Sequence, residues 1–325
     1  MNNTWIYRMH ATVDAGLPIC TETAMAILSA DGAAFAEVLH ATTRVRERRA
    51  GSQLRLCSIV NARSGACSEN CAFCAQSAHF DVPGTQTFDL LDSDAIVAAR
   101  DTAAEAPIAF FSVVTSGQTM NDDEVDQVIA TVTSAPSSRP HWCGSLGCLT
   151  QAQLIRLRDA GMKRYHHNLE TAESFYPSIC TTHDYTTRRQ TVRDAKAVGL
   201  EVCCGGLLGM GESLEQRVEL AMEIAAEGVD AIPLNFLMAI PGTPLETRPP
   251  MTPSEILRAV AMFRLVCPDS ELRIGGGRKH LGDYQPLLFA AGAEGMLVGD
   301  LLTTTGQNVA EDLAMLADHN LEPSE

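Results

Sequence analysis

Three cysteines within eight residues, Cys67, Cys71 and Cys74, give the sequence a set of side chains that can bind metal. Their spacing is Cys-x3-Cys-x2-Cys, and they follow an apolar, strand-like run at residues 54–60. A zinc site would need a fourth ligand and usually combines two Cys-x2-Cys halves. A four-iron cluster normally takes four cysteines, so three would leave one iron open to a ligand from outside the protein. Buried structural cysteines are the alternative, and the close spacing disfavours them.

The segment LCSIVNARSGACSENCAFCAQSAHF, at residues 56–80, resembles the cluster loop of radical SAM enzymes and, among them, that of the biotin synthase family. The resemblance implies that the three cysteines hold a [4Fe–4S] cluster whose open iron binds S-adenosylmethionine. An electron from the cluster would then break the C–S bond and give a 5′-deoxyadenosyl radical, which removes hydrogen from an unactivated carbon. Phe73, which lies between the last two cysteines, would sit beside the adenine.

Thiol and polar residues also interrupt later strand-like runs, although strands buried on both faces are normally apolar. By the same resemblance, Cys143 and Cys203 are expected to bind an auxiliary iron–sulfur cluster, with Arg278 as an unusual arginine ligand. Ser112 falls where the family has a third cysteine. A serine oxygen is a harder donor to iron than a thiolate, so this position departs from the family pattern.

Two further thiols, Cys148 and Cys204, leave the type of the auxiliary cluster open. Cys204 directly follows Cys203, and side chains alternate along a strand, so only one of this pair can point inward. Cys148 lies beyond a strand-like run, in the loop before the next helix. The sequence therefore allows a [2Fe–2S] cluster with Ser112 as a ligand, a four-iron cluster completed by Cys148 or Cys204, or no second cluster.

The segment YHHNLET, at residues 165–171, resembles a family motif that contacts S-adenosylmethionine. The resemblance implies that Asn168 lies where the nucleoside and the substrate meet and that Glu170 binds the ribose hydroxyls. Arg188 matches an arginine that binds the methionyl carboxylate. The alternative for Arg188 is a solvated helix residue, because arginines are mostly exposed.

The resemblance also implies a small-molecule substrate, dethiobiotin, and side chains that surround it. Asn235, in the segment IPLNFLMAIPGTPLE, matches an asparagine near the ring of the substrate, and with Asn168 it is an expected catalytic-site residue. Thr303 and Thr304, in VGDLLTTTGQ, are expected near the carboxylate end of the substrate.

The expected reaction is conversion of dethiobiotin to biotin, in which sulfur from the auxiliary cluster bridges two saturated carbons after the radical has removed a hydrogen from each. A related radical SAM enzyme that abstracts hydrogen without inserting sulfur is the nearest alternative, and Ser112 supports it. A non-catalytic iron–sulfur redox or sensor protein is a third possibility, which the nucleoside-binding residues disfavour. The family further implies a flavodoxin- or ferredoxin-type electron donor and a homodimer.

Eight apolar, strand-like runs alternate with amphipathic helical segments and must position these side chains. Capping-box patterns, such as Asn121 with Glu124 and Thr150 with Gln153, mark where helices begin. No linker interrupts the alternation, which is typical of a parallel (β/α)8 TIM-type barrel. We predict an α/β fold with a barrel domain at residues 51–325 and an N-terminal helical extension at residues 1–50. The predicted strands lie at residues 54–61, 108–115, 141–146, 164–169, 201–208, 231–238, 272–276 and 296–299.

The composition excludes several classes of partner. Forty acidic and 24 basic residues give a net charge of −16, which argues against nucleic acid and anionic membrane surfaces. Residues 1–30 lack the pattern of a secretory signal, so the 11 cysteines indicate a reduced, cytoplasmic protein rather than a disulfide framework. The one basic concentration, at residues 44–49, predicts a solvated helix end, with a docking site for an acidic electron donor as the alternative.

Overall fold

Strand β1, Gln53–Arg63, closes the sheet because it pairs in parallel with both β2, Ile108–Thr115, and β9, Gly295–Leu297. The computed structural model describes residues 4–135 and 139–324, so both ends of the predicted domain ranges lie outside the described residues. Parallel pairing continues around the sheet, which confirms the predicted (β/α)8 barrel and its eight strand positions. The other barrel strands are β3 (His141–Ser145), β4 (Arg164–His166), β5 (Glu201–Cys203), β6 (Gly206–Leu208), β7 (Ala231–Phe236) and β8 (Glu271–Ile274).

The fifth barrel strand is divided into β5 and β6, which both pair with β7. The break falls at Cys204 and Gly205. A Cβ at Gly205 would lie 1.9 Å from the Pro233 carbonyl oxygen, so only glycine allows this close approach of two backbones. The Gly205 N–H donates to the Asn168 side-chain oxygen (3.1 Å), which ties the break to the end of the neighbouring strand.

Helices cover the outside of the barrel, and their starts follow the predicted capping signals. Asn121 with Glu124 and Thr150 with Gln153 form complete capping boxes, in which each side chain bonds the other residue's backbone N–H. These helices are α4 (Ser93–Ala103), α5 (Asp122–Ser134), α6 (Gln151–Ala160), α7 (Tyr185–Ala197), α8 (Leu214–Glu227), α9 (Pro253–Val266), α10 (Leu287–Ala290) and α11 (Val309–Asp318). Two 3-10 helices, Tyr176–Ser178 and Arg278–Tyr284, and a short strand, β10 (Glu322–Pro323), complete the described elements.

Three helices precede the barrel: α1 (Thr4–Asp14), α2 (Thr21–Leu28) and α3 (Gly32–Ala50). Helices α2 and α3 pack against α9, and the backbone N–H of Ile19 donates to the Leu265 carbonyl (3.0 Å). The segment between α1 and α2 therefore lies against the N-terminal end of the barrel, opposite the end where barrel enzymes bind substrate. None of the helices in residues 4–135 and 139–324 has the length and apolar character required to cross a bilayer.

The basic concentration forms the C-terminal end of α3, where Arg48 and Arg49 are exposed. Arg46 is buried and donates to the Gly51 carbonyl (2.8 Å), and Arg48 donates to the Val13 carbonyl (2.8 Å). Arg49 bonds the Glu294 carboxylate (2.8 Å). The prediction of a solvated helix end therefore holds for Arg48 and Arg49 and fails for Arg46, which is buried.

Candidate active site

The three cysteines lie on the loop after β1, and hydrogen bonds within the loop fix its shape. The Cys67 N–H donates to the Gln76 carbonyl (3.0 Å), and the Ala78 N–H donates to the Cys67 carbonyl (2.8 Å). The Ser77 hydroxyl donates to the Glu69 carbonyl (2.6 Å). The loop is thus closed on itself, and this holds its thiols in one place before any metal binds.

The loop thiols have the burial expected of metal ligands. Cys71 is buried, and Cys67 and Cys74 are half-buried. Burial raises the pKa of the Cys74 thiol to about 11, and a hydrogen bond with Cys180, together with burial, raises the pKa of Cys71. A bound cationic metal would favour the thiolate forms that burial alone disfavours.

The spacing of these thiols fits a cluster better than a single ion. In the part of the chain that the structure describes, only Glu69, Cys180 and His183 bring three possible ligand atoms within 4.8 Å of one another. The loop thiols are therefore spread more widely than the ligands of a mononuclear site. Three such thiols suit a multi-iron cluster, in which each cysteine binds a different iron.

A cavity of about 380 Å³, here called the barrel cavity, lies beneath the loop inside the barrel. Phe73 and Cys74 contribute to its lining from the loop. The predicted site residues that line it from the barrel are Ser112, Cys143, Asn168, Glu170, Cys203, Asn235, Thr303 and Thr304. The structure therefore brings these predicted residues together around one cavity, whereas Cys67, Cys71, Arg188 and Arg278 are not part of its lining.

Three thiols from separate strands face the barrel cavity: Cys57 on β1, Cys143 on β3 and Cys203 on β5. Burial raises the pKa of Cys143 to about 12 and also raises the pKa of Cys57 and of Cys203. Cys57 was not among the predicted ligands. It lies on the first strand with Ile59 on the same face, so strand alternation was the signal that could have found it.

The arginine beside these thiols is Arg273, not Arg278. Arg273 is buried on β8, lines the barrel cavity and donates from Nη1 to Cys57 Sγ (2.6 Å). Arg278 opens the 3-10 helix after β8, and its guanidinium pairs with buried Asp312 on α11 and donates to Gln285 (2.7 Å). Arg278 therefore lies beyond β8, which ends at Ile274, and does not line the barrel cavity, contrary to the expectation for it.

The two additional thiols also lie away from the barrel cavity. Cys204 is fully buried in the hydrophobic core, on the opposite side of the chain from Cys203. Cys148 lies beyond β3, with Sγ 3.8 Å from His167 Nε2. Neither residue lines the barrel cavity, so the structure does not bring them together with Cys143.

Three side chains form one hydrogen-bonded group beside the barrel cavity: Asn168, Glu170 and Arg188. Arg188 donates to the Asn168 carbonyl (3.1 Å), and its Nη1 lies 3.4 Å from Glu170 Oε1. It also donates to the Tyr176 hydroxyl (2.9 Å), so Arg188 is not the solvated alternative. Glu170 has a φ of +70°, a conformation that costs energy for a residue with a side chain.

Asn235 is held by the backbone on the far side of the cavity. Its Oδ1 accepts from the Gly276 N–H (2.8 Å), and a Cβ at Gly275 would lie 2.3 Å from the same oxygen. Glycine is therefore required for Asn235 to approach β8. Thr303 and Thr304 reach the cavity from the segment after β9, where Asn61 donates to the Leu302 carbonyl (3.0 Å).

His166 also faces the barrel cavity, although no sequence pattern selected it. It is the last residue of β4 and pairs in register with Cys203 on β5. Burial lowers the pKa of His166 to about 4, so the imidazole is neutral at pH 7 and can accept a hydrogen bond or bind a metal.

Comparisons with known proteins agree with this arrangement. The family model of the Radical SAM superfamily matches residues 62–224, and that of the Biotin and Thiamin Synthesis associated domain matches residues 233–322. The chain is 49% identical to the biotin synthase of Maridesulfovibrio salexigens over 95% of this chain and 94% of the relative. It is 45% identical to the biotin synthase of Heliobacterium modesticaldum over 97% of each chain.

Two solved structures share the fold of this chain. Methylornithine synthase superposes with a TM-score of 0.83 at 17% identity, over 98% of this chain and 97% of that one. HydG, a maturase of the [FeFe]-hydrogenase, superposes with a TM-score of 0.84 at 14% identity, over 100% of this chain and 77% of that one. At these identities the likeness concerns the fold alone, whereas the sequence relatives define the family. The chain belongs to the biotin synthase family of the radical SAM superfamily.

Proposed function

We propose that this chain converts dethiobiotin to biotin by radical insertion of sulfur. One observation carries the proposal: three thiols and an arginine, Cys57, Cys143, Cys203 and Arg273, face the same cavity as Asn168 and Glu170. A site that only abstracts hydrogen would have no use for this second set of metal ligands beneath the substrate.

The family implies a [4Fe–4S] cluster and S-adenosylmethionine, and Cys67, Cys71 and Cys74 would hold that cluster. When bound, these groups supply a radical that can abstract hydrogen, and an auxiliary iron–sulfur cluster supplies the sulfur. The side chains of this protein bind the cofactor and the substrate and orient them. Arg188 and Glu170 offer one cation and one anion for the zwitterionic cofactor, and Phe73 offers an apolar face for its adenine.

In this proposal the auxiliary cluster is held by three thiols, those of Cys57, Cys143 and Cys203. Arg273 lies beside them and takes the place of the arginine ligand that the family implies. Cys57 takes the place of the thiol that is missing at Ser112, because β1 and β2 are neighbours and both residues face the cavity. The mostly apolar walls of the cavity disfavour water, which protects a radical from side reactions. Asn235 and Asn168 would contact the substrate, and Thr303 and Thr304 would contact its carboxylate end.

The test is anaerobic turnover of the reconstituted chain with S-adenosylmethionine, dethiobiotin and a low-potential reductant. We expect both biotin and 5′-deoxyadenosine. Deoxyadenosine with dehydrogenated or rearranged substrate and no biotin would favour the enzyme that inserts no sulfur. If neither product formed in a chain that carries both clusters, the redox or sensor function would be favoured instead.

We further propose that reduced flavodoxin or ferredoxin supplies the electron, that the enzyme is a homodimer and that it works in the cytoplasm. All eleven cysteines are free thiols, which is consistent with a reducing compartment. Light scattering after size-exclusion chromatography tests the dimer. Product formation with reduced flavodoxin or ferredoxin in place of a chemical reductant tests the donor.

A further inference from the structure

Three side chains with metal-binding atoms meet beside the loop after β1, and the function proposed above makes no use of them: Glu69, Cys180 and His183. One carboxylate oxygen, one sulfur and one ring nitrogen from this set lie within 4.8 Å of one another. Glu69 belongs to the loop, whereas Cys180 and His183 lie in the segment between the 3-10 helix Tyr176–Ser178 and α7. None of the three lines the barrel cavity.

Hydrogen bonds outside the set hold its two halves together. The Ala72 N–H donates to the Ile179 carbonyl (2.9 Å). The Asn70 side chain donates to the Thr181 hydroxyl (2.7 Å) and accepts from the Thr181 N–H (2.9 Å). The loop and the segment before α7 are therefore fixed against each other by residues that are not members of the set, which preorganises the three donors.

The distances within the set suit one metal ion. Cys180 Sγ lies 3.4 Å from His183 Nδ1, and the Glu69 carboxylate contacts the same nitrogen. Zn–S and Zn–N bonds of ordinary length at a tetrahedral angle place the sulfur and the nitrogen about 3.5 Å apart. The other ring nitrogen, His183 Nε2, lies 2.8 Å from the Tyr176 hydroxyl. Histidines that bind metals usually have such a partner, which orients the ring.

The set is buried and holds a carboxylate without a strong cationic partner. The side chains of Glu69 and His183 are 8% and 4% exposed, and Cys180 is 3% exposed. Apart from His183, the carboxylate accepts from the hydroxyls of Ser68 (3.0 Å) and Thr182 (2.6 Å). Within the described part of the chain, no lysine or arginine pairs with it. Buried carboxylates are normally paired with a cation or bound to a metal, and a divalent ion would supply the charge.

We propose that Glu69, Cys180 and His183 bind a single zinc ion, separate from both iron–sulfur clusters. A thiolate, an imidazole and a carboxylate are all common zinc ligands, whereas Mg²⁺ and Ca²⁺ take oxygen ligands. Three protein ligands leave a fourth position for water. The exposed neighbours Ser68 and Thr182 place the site close to the surface, where the ion can enter. The inference does not depend on insertion of sulfur.

The proposed zinc ion would link the loop that carries the cluster thiols to the start of α7. Arg188 lies on α7 and donates to the Tyr176 hydroxyl (2.9 Å), the same hydroxyl that contacts His183. The zinc ion would therefore hold the loop and the arginine expected to bind the cofactor in a fixed relation.

The test uses the full chain after anaerobic reconstitution with iron and sulfide, so that iron occupies the loop thiols. A chelating resin removes loosely bound metal, and zinc is then titrated in competition with a fluorescent zinc chelator. Cys180→Ser and His183→Gln each remove one ligand with little change in size. Cys267→Ser is the control, because Cys267 is also a buried thiol and contacts only the Ala221 carbonyl (3.6 Å) among the hydrogen-bond partners described. X-ray absorption at the zinc edge identifies the ligands.

We expect wild type and Cys267→Ser to bind one zinc ion per chain. The absorption spectrum should show one sulfur at about 2.3 Å and otherwise nitrogen or oxygen ligands. Cys180→Ser and His183→Gln should each weaken zinc binding at least about a hundredfold, since loss of a partner outside the ligand shell alone costs up to that factor. Zinc should raise the unfolding temperature of wild type and of Cys267→Ser only. All four proteins should carry the same amount of iron.

Three results would overturn the inference. The first is a wild-type chain that retains no zinc, or variants that bind zinc as tightly as wild type. The second is a zinc ion with three sulfur neighbours, which would have replaced iron on the loop thiols. The third is loss of loop-cluster iron in Cys180→Ser, which would assign Cys180 to the iron–sulfur cluster.

Discussion

Arg273 Nη1 lies 2.6 Å from Cys57 Sγ, and this contact joins β8 to β1 across β9. A charged donor on a thiol is a strong hydrogen bond, and it becomes stronger when the sulfur is a thiolate. The contact therefore stabilises Cys57 in its metal-binding form, although burial opposes that form. It also identifies a pair of residues that the family pattern alone did not select.

The first prediction is that Cys57→Ala removes the auxiliary cluster and leaves the loop cluster in place. Iron per chain should fall by the content of one cluster, and biotin formation should be lost, whereas reductive cleavage of S-adenosylmethionine should persist. Cys267→Ala is the control, because Cys267 is a buried thiol that lies outside the barrel cavity. Full iron content and normal biotin formation in Cys57→Ala would show that Cys57 is not a ligand of the auxiliary cluster.

Cys71→Ala should have the opposite effect on the two clusters. Two remaining loop thiols cannot hold four irons, so the loop cluster and the production of deoxyadenosine should disappear. The auxiliary cluster should remain visible by Mössbauer spectroscopy. Cys20→Ala, which removes an exposed thiol, provides the control. Undiminished deoxyadenosine production by purified Cys71→Ala would contradict the assignment of the cofactor site.

Arg188→Ala and Glu170→Ala should each weaken binding of S-adenosylmethionine. Loss of a charge-assisted contact costs about 1.5–3 kcal/mol, which corresponds to roughly ten- to more than a hundredfold in affinity. Equilibrium binding to the reconstituted variants measures the effect. Arg189→Ala serves as the control, since Arg189 pairs with Glu227 on the outside of the barrel. Unchanged affinity in both test variants would mean that the cofactor binds elsewhere.

Ser112→Ala should leave the auxiliary cluster largely intact. Cys57 already supplies a third thiol, so the serine oxygen is not required as a ligand. Ser112→Cys should also retain the cluster, because the new thiol would lie next to Cys143 on the neighbouring strand. Iron analysis of the two variants checks this prediction. Loss of auxiliary iron in Ser112→Ala would show that Ser112 is a ligand of the cluster.

Arg278→Gln should lower stability and leave the metal content unchanged. The substitution would leave Asp312, which is 0% exposed, as an unpaired buried carboxylate. Breaking a buried ion pair in this way costs about 3–5 kcal/mol, which denaturant titration of the reconstituted protein should detect. Arg273→Gln should instead weaken the auxiliary cluster. Loss of auxiliary iron without loss of stability in Arg278→Gln would contradict the assignment of Arg273, rather than Arg278, to the auxiliary site.

The barrel could be predicted from the sequence because its strands are short apolar runs with helix signals between them. Strand alternation also distinguished Cys203 from Cys204: the former faces the cavity and the latter the core. The two arginines could not be distinguished in this way. Alternation extends along β8 as far as Ile274, and the glycines that follow allow so many backbone conformations that the direction of Arg278 is not encoded locally. Its partner, Asp312, lies 34 residues away.

The two family models meet between residues 224 and 233, and this boundary runs through the wall of the barrel. Strands β1 to β6 lie on one side of it and β7 to β9 on the other, joined where β5 and β6 meet β7 and where β9 meets β1. Either part alone would have two open sheet edges with unpaired backbone groups. One segment can therefore be exchanged for that of a relative only if the strand pairing is preserved at both boundaries, between β5, β6 and β7 and between β9 and β1. Cleavage between them should yield halves that are insoluble when separate and recover the barrel when mixed.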